Sequence, residues 1–237
     1  LAYTTKNPDK GSTAVARTLE QPRSRVRAWM NGSKPDPVRA VGIADRNGWL
    51  DWDWDTETTQ ALNCLIAWIF AGGSIDASQY TPFFTVDERT EACARTLLEI
   101  VTGRRAVKNE RDGSRATELT LKTNQTVFGR YLTVMGAPTG LKNEHRTDLR
   151  LPEYLWDAPE HGRLQFARTY VWLRGTDGPG PAHPVQIREE RSESYIRDVH
   201  RLFASLIEAP VSGNSATYRL RKAAADLFDR PPSLCGD

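Results

Sequence analysis

A continuous apolar run, Leu65-Ile66-Ala67-Trp68-Ile69-Phe70-Ala71, ends at Gly72-Gly73-Ser74-Ile75, and a shorter version, Tyr170-Val171-Trp172-Leu173, leads into Arg174-Gly175-Thr176-Asp177-Gly178. Apolar on every face, both predict helices that cross a core and stop at glycine. After the first, residues 74–80 and 81–86 are rich in β-branched and aromatic side chains and predict two strands. A helix opening on Asp87-Glu88-Arg89 follows, turning Ala92, Leu97, Leu98 and Val101 inward as far as Gly103. Residues 104–108 and 114–122 predict a hairpin about Asp112-Gly113, and 124–135 a closing helix. The order is helix, strand, strand, helix, strand, strand, helix. Downstream lie a helix over 163–176, a Gly- and Pro-rich turn over 177–181 and a strand over 183–189. A helix over 193–208, a strand over 216–221 and a helix over 222–228 complete what reads as a shorter second copy.

Ahead of these copies, Ser12-Thr13 opens a short helix and Glu20-Gln21 a turn, and Pro22 suits the first position of a second helix ending at Asn31-Gly32. Val26 and Trp29 of that helix face a core with Ala16 and Leu19, leaving Arg23, Ser24, Arg25 and Arg27 outward. A third helix over 37–47 closes the module. The pattern resembles a helix-turn-helix, whose second helix enters the major groove of DNA. Many such motifs have glycine where this chain has Glu20, so a different turn is expected. A three-helix bundle for protein contacts is the plainer alternative.

Charge sharpens the picture. The formal net charge is only +2, but between Lys6 and Arg46 nine bases face four acids. The segment Asp51-Trp52-Asp53-Trp54-Asp55-Thr56-Glu57 reverses the sign, its rings suited to docking on a neighbouring surface while the carboxylates stay wet. Arg104, Arg105, Lys108, Arg111 and Arg115 restore it, a distribution that fits a polyanion. Cys64, Cys93 and Cys235 are too few and scattered for a disulfide framework and fit a reducing compartment. No histidine approaches a cysteine at zinc-site spacing. No run spans a bilayer and no signal peptide opens the chain, so a cytoplasmic, nucleoid-associated protein is expected.

The paired runs resemble the signature helices of the LAGLIDADG homing endonucleases, in which an apolar, small-residue helix ends in an acid followed by glycine. The resemblance covers residues 58–230. It implies an α+β fold in which a three-helix helix-turn-helix module precedes two pseudo-symmetric αββαββα repeats. The segments are 1–50 for the module, 51–57 for an acidic, Trp-rich linker, 58–142 for repeat one, 143–162 for a second linker and 163–237 for repeat two. It also implies two central helices in close contact through Ala67, Ala71, Gly72, Gly73 and Gly175, with a curved sheet from each half lying along double-stranded DNA. Fused copies supply their own two-fold, so a monomer is expected.

The strand residues proposed for that DNA surface are Arg104, Arg105, Lys108, Arg115, Gln186, Arg188, Arg219 and Arg221, beside Arg23, Ser24, Arg25 and Arg27 of the module. A one-residue slip exchanges the faces of a strand, so which parity meets DNA stays open. The family cuts DNA with Mg²⁺ held by the two helix-end acids. Asp177-Gly178 keeps that pair as catalytic and metal residue, whereas Gly72 replaces the first acid; Asp76 and Lys122 are weaker candidates. The resemblance therefore implies a DNA-binding protein that does not cleave and needs no cofactor, similar to the WhiA regulators. A Mg²⁺-dependent endonuclease or nickase using Asp177 is the alternative, and RNA binding of the intron-maturase kind ranks below both.

Overall fold

The structure is a computed structural model and describes residues 2–109, 116–142, 148–213 and 217–236. The chain folds as two compact units, Leu1–Arg46 and Asn47–Asp237. The first is helical, with α1 (Ala2–Lys6), α2 (Ser12–Thr18), α3 (Arg23–Met30) and α4 (Asp36–Arg46). The three expected helices are thus joined by a fourth, α1, whose Tyr3 packs with Trp29 against a small core of Val15, Ala16 and Val26. Leu19, expected in that core, is 41% exposed because α2 stops at Thr18. Glu20 has φ 52°, the left-handed conformation that glycine adopts without strain. The turn is therefore of the glycine kind, and the different turn expected for Glu20 is corrected.

The second unit runs α5 (Glu57–Ala71), β1 (Ser74–Ile75), β2 (Pro82–Val86), α6 (Glu91–Thr102), β3 (Val107–Asn109), β4 (Thr117–Thr120) and α7 (Gln125–Val134). The same sequence of elements then recurs as α8 (Glu160–Arg174), β5 (Thr176–Gly180), β6 (His183–Arg188), α9 (Glu193–Ala204), β7 (Val211–Gly213), β8 (Thr217–Leu220) and α10 (Lys222–Phe228). Among the described residues the fold is α+β, with ten helices and two antiparallel sheets ordered β1-β2-β4-β3 and β5-β6-β8-β7. β5 takes residues expected to finish a helix and form a turn, and β7 was not expected. α6 starts at Glu91 rather than Asp87, because Asp87 Oδ1 accepts from Thr90 N and Thr90 Oγ1, at 2.8 and 2.6 Å, in a turn before the helix. Ala92, expected inward, lies on the exposed side of α6, off the buried stripe of Cys93, Ala94, Leu97, Leu98 and Val101.

α5 is capped by Thr56, whose Oγ1 accepts from Thr59 N at 3.3 Å. It is buried on all sides from Ala61 to Ala71 and packs against α8. Asn63 ties the pair, donating Nδ2 to Gly162 O and accepting at Oδ1 from Tyr154 OH, both at 2.9 Å. Farther along, Trp68 meets Trp172 edge to face at 6.1 Å, and Phe70 meets Phe166 at 6.0 Å. Two glycines expected to bring the helices together do something else. A Cβ on Gly73 would lie 2.7 Å from Phe83 O, and one on Gly175 2.8 Å from Val185 Cγ1. Each lets the chain turn from its central helix into its own sheet.

Trp49 belongs to this unit, donating Nε1 to Val101 O at 2.7 Å and packing on Phe128 and Tyr131. Trp52 and Trp54 pack on Tyr154 while Asp51, Asp53 and Asp55 stay exposed. Cys93 and Cys235, too scattered in sequence to suggest pairing, form a disulfide; Cys64 is buried and free. No helix among the described residues is long and apolar enough to cross a membrane.

Candidate functional site

Strand pairing aligns the two halves residue by residue. Ser74 pairs with Phe83 at the start of β1, and Thr176 pairs with Gln186 at the start of β5; the next residues, Ile75 and Asp177, pair with Pro82 and Val185. Gly73 and Gly175, each crowded against its own second strand, are therefore equivalent, and so are the residues before them, Gly72 and Arg174. Asp177, matched to Gly72 on sequence, lies three residues beyond the last residue of α8, exposed in β5. The position equivalent to Gly72 holds an arginine.

Gly72 and Arg174 both line a cleft of about 920 Å³ at the C-terminal ends of α5 and α8. Four basic side chains line it, Lys142, Arg174, Arg188 and Arg191, against two acids, Glu189 and Glu190. The helix ends carry partial negative charge in their unsatisfied carbonyls, which favours cations. Lys142 Nζ donates to Ile69 O and Gly73 O, and Arg191 Nη2 donates to Phe70 O at 2.5 Å. Arg89 Nη2 does the same for α8, reaching Trp172 O at 2.7 Å. Arg89 and Arg191 each stand two residues before the helix of their own half, α6 or α9, and each reaches the central helix of the other. Sequence reasoning missed this exchange; their equal spacing from Glu91 and Glu193 was the available signal.

Glu189 is the buried counter-charge, its side chain 1% exposed. It accepts from Tyr170 OH at 2.6 Å and lies 3.3 Å from Arg191 Nε and 3.7 Å from Arg174 Nη2. Burial pushes the Tyr170 hydroxyl well above its ordinary pKa, so it donates as a neutral phenol. Arg174 Nη2 also donates to Arg188 O at 2.9 Å. At the exposed rim Arg188 pairs with Glu190 at 2.9 Å.

The sheets show which strand parity faces outward and which is buried. In the second sheet Gln186 pairs with Thr176 and Arg219, and Arg188 pairs with Thr217, so Gln186, Arg188 and Arg219 share the outward face while Val185, Ile187, Tyr218 and Leu220 are buried. Arg221 follows as the exposed N-cap residue of α10. In the first sheet Thr85, Glu118 and Asn109 are cross-strand partners on the outward face. Lys108 pairs instead with Leu119 on the helix side, and its Nζ lies 2.9 Å from Glu91 Oε2 of α6. It is withdrawn from the outward face. Arg104 and Arg105 are exposed in the loop before β3 rather than in a strand, and Arg115 lies outside the described residues.

In the first unit Arg23, Ser24, Arg25 and Arg27 are exposed on α3 around the buried Val26. Arg25 Nη1 reaches Gln21 Oε1 at 3.2 Å, and Arg23 Nε reaches Ser12 Oγ at 3.5 Å. Lys122 is exposed in the bend after β4 and does not line the cleft. Asp76 Oδ1 accepts from Ser78 N, Ser78 Oγ and Gln79 N, and those bonds, that from Gln79 N foremost, lower its carboxyl pKa. Its carboxylate holds a tight turn.

A resident Mg²⁺ needs several hard oxygen donors. Among the described residues no group of three or more His, Cys, Asp or Glu could hold a metal, and the cleft offers Glu189 and Glu190, both already paired with arginines, within a set of cations. The side chains at the helix ends do not fit a divalent ion. No family model matches the chain, and no curated protein matches it in sequence.

Proposed function

We propose that the protein binds double-stranded DNA without cleaving it, as a relative of the LAGLIDADG endonucleases that has lost both helix-end acids. The observation that carries this reading is the equivalence of Gly72 and Arg174 at the ends of paired helices that each open an αββαββα series. An acid is missing from one position and replaced by a base at the other. Support for the DNA partner comes from the outward row Gln186, Arg188 and Arg219, with Arg221 beside it, and from Arg23, Ser24, Arg25 and Arg27 on α3. A β-ribbon face and a recognition helix both suit the major groove, arginine reading guanine bidentately and neutralising phosphate wherever it lands. The two halves already supply a two-fold, so the protein acts as a monomer.

The test is selection from a randomised duplex library with and without Mg²⁺, scoring binding and strand breaks together. Enriched, intact duplexes in both conditions are expected. Mg²⁺-dependent breaks lost in Asp177→Asn would establish the endonuclease instead. Preference for a structured intron transcript over duplex at equal salt would establish RNA binding.

A further inference from the structure

We infer that the cleft at the ends of α5 and α8 is a phosphodiester site, in which Arg174, with Arg188 at the rim, takes a backbone phosphate of the duplex directly. The inference rests on the proposed DNA-binding reading and assigns one contact within it. Three observations carry it. The cleft has four basic side chains against two acids, and one of those acids, Glu189, is already held by Tyr170 and Arg191. Arg174 Nε is a buried donor with no hydrogen-bond partner among the described residues, on a side chain that is 32% exposed to the cleft. Such donors are costly to leave unmade. Finally, the cleft is continuous with the outward face of the second sheet, because Arg188 and Thr176 belong to both.

The chemistry favours an anion over a metal, and the proposed duplex supplies that anion as a backbone phosphate. Arginine presents planar, paired donors that match two oxygens of a tetrahedral anion. Lys142 and Arg191 hold carbonyls of the α5 end and supply field, whereas Arg174, whose Nη2 holds Arg188 O at 2.9 Å, keeps Nε unpartnered. The Arg188 pair with Glu190 is solvent-exposed on both sides, at 78% and 72%, and such pairs exchange easily for a stronger anion. Gly72, whose added Cβ would meet nothing within 4 Å, leaves the opposite wall open.

The experiment uses the full chain and a duplex recovered from the library. Affinity is measured against salt for the wild type, Arg174→Gln and Arg188→Gln, with thermal unfolding as the control for folding. Each backbone linkage is then replaced in turn by an uncharged methylphosphonate. Arg174→Gln is expected to lower the slope of log affinity on log salt by about 0.9, the value of one phosphate contact, and Arg188→Gln, at the rim of the same phosphate, by no more than that. One neutral linkage should weaken the wild type and cost nothing further in Arg174→Gln. Arg188→Gln keeps the inference open to refutation even if Arg174→Gln unfolds, because Arg188 is exposed. A wild type that binds with a steep salt slope, beside variants with the same slope and no such silent linkage, overturns the site while leaving DNA binding intact. A wild type that binds no duplex overturns both. Inorganic phosphate that raises the unfolding temperature of the wild type but not of Arg174→Gln, with no methylphosphonate effect, overturns the duplex as its source.

Discussion

Replacing Arg191 by methionine isolates the energetics of the helix-end cluster. The side chains of Glu189 and Arg191 are 1% and 8% exposed, with Arg191 Nε 3.3 Å from Glu189 Oε1. Arg191→Met removes that partner, the bond to Phe70 O and the guanidinium stacked 4.8 Å over Tyr195. Glu189 keeps Tyr170 OH at 2.6 Å, but its nearest remaining cation is Arg174 at 3.7 Å. Breaking a buried pair from one side costs about 3–5 kcal/mol, chiefly through the charge left behind. For a domain of this size that is roughly 6–20 °C in Tm. Glu189→Gln removes the stranded charge while Gln can still accept from Tyr170. The double variant Glu189→Gln/Arg191→Met should therefore lose less than the sum of the singles, by about 2 kcal/mol. Urea unfolding followed by tryptophan fluorescence measures all four proteins. Single-variant losses below about 1 kcal/mol, or strict additivity, would refute the reasoning that the cluster is a desolvated pair rather than a hydrated one.

Arg188→Ala/Arg219→Ala should lower the salt slope of duplex binding by about 1.8, two phosphate contacts' worth, whereas Lys108→Ala, bound to Glu91 behind the first sheet, should leave it unchanged; equal effects would overturn the assigned faces. Gly72→Asp should fold, since its Cβ meets nothing within 4 Å, and still give no Mg²⁺-dependent strand breaks because Arg174 and Lys142 remain; cleavage by this variant would contradict the cationic cleft. Glu20→Gly should stabilise the first unit by about 1 kcal/mol by relieving a left-handed backbone, read from amide exchange on α2 and α3, and a loss of protection would refute that turn. Burial pushes the Cys64 thiol up to about 12, so iodoacetamide at pH 8 should modify it only after unfolding; rapid labelling of the native chain would contradict its burial.

The parts legible in sequence were those whose evidence is local. An all-apolar helix such as α5 announces itself through composition alone, and α3 through Pro22 and the placing of Val26 and Trp29 among arginines. α10 runs over Lys222–Phe228, the residues expected from pattern. What failed depended on partners. Thr176-Asp177-Gly178-Pro179-Gly180 has turn chemistry, yet it forms β5 at the edge of its sheet, where proline is tolerated because no neighbour needs its N–H. Lys108 could not be assigned to a face from a three-residue strand; its pairing with Leu119 and the acid waiting on α6 decide it.

The matching of the helix ends failed for a related reason. A search for an acid before glycine finds Asp177-Gly178, whereas strand register selects Arg174-Gly175-Thr176 as the counterpart of Gly72-Gly73-Ser74. The physical logic favours the second. Two helix C-termini converging on one cleft concentrate partial negative charge, and carboxylates added there need a bound cation to be stable. Arginine at that position meets the same field with its own charge, as do Lys142, Arg191 and Arg89 at the carbonyls beside it. Basic side chains at these helix ends thus have a structural consequence before any chemical one, because their charge opposes the field of the converging carbonyls.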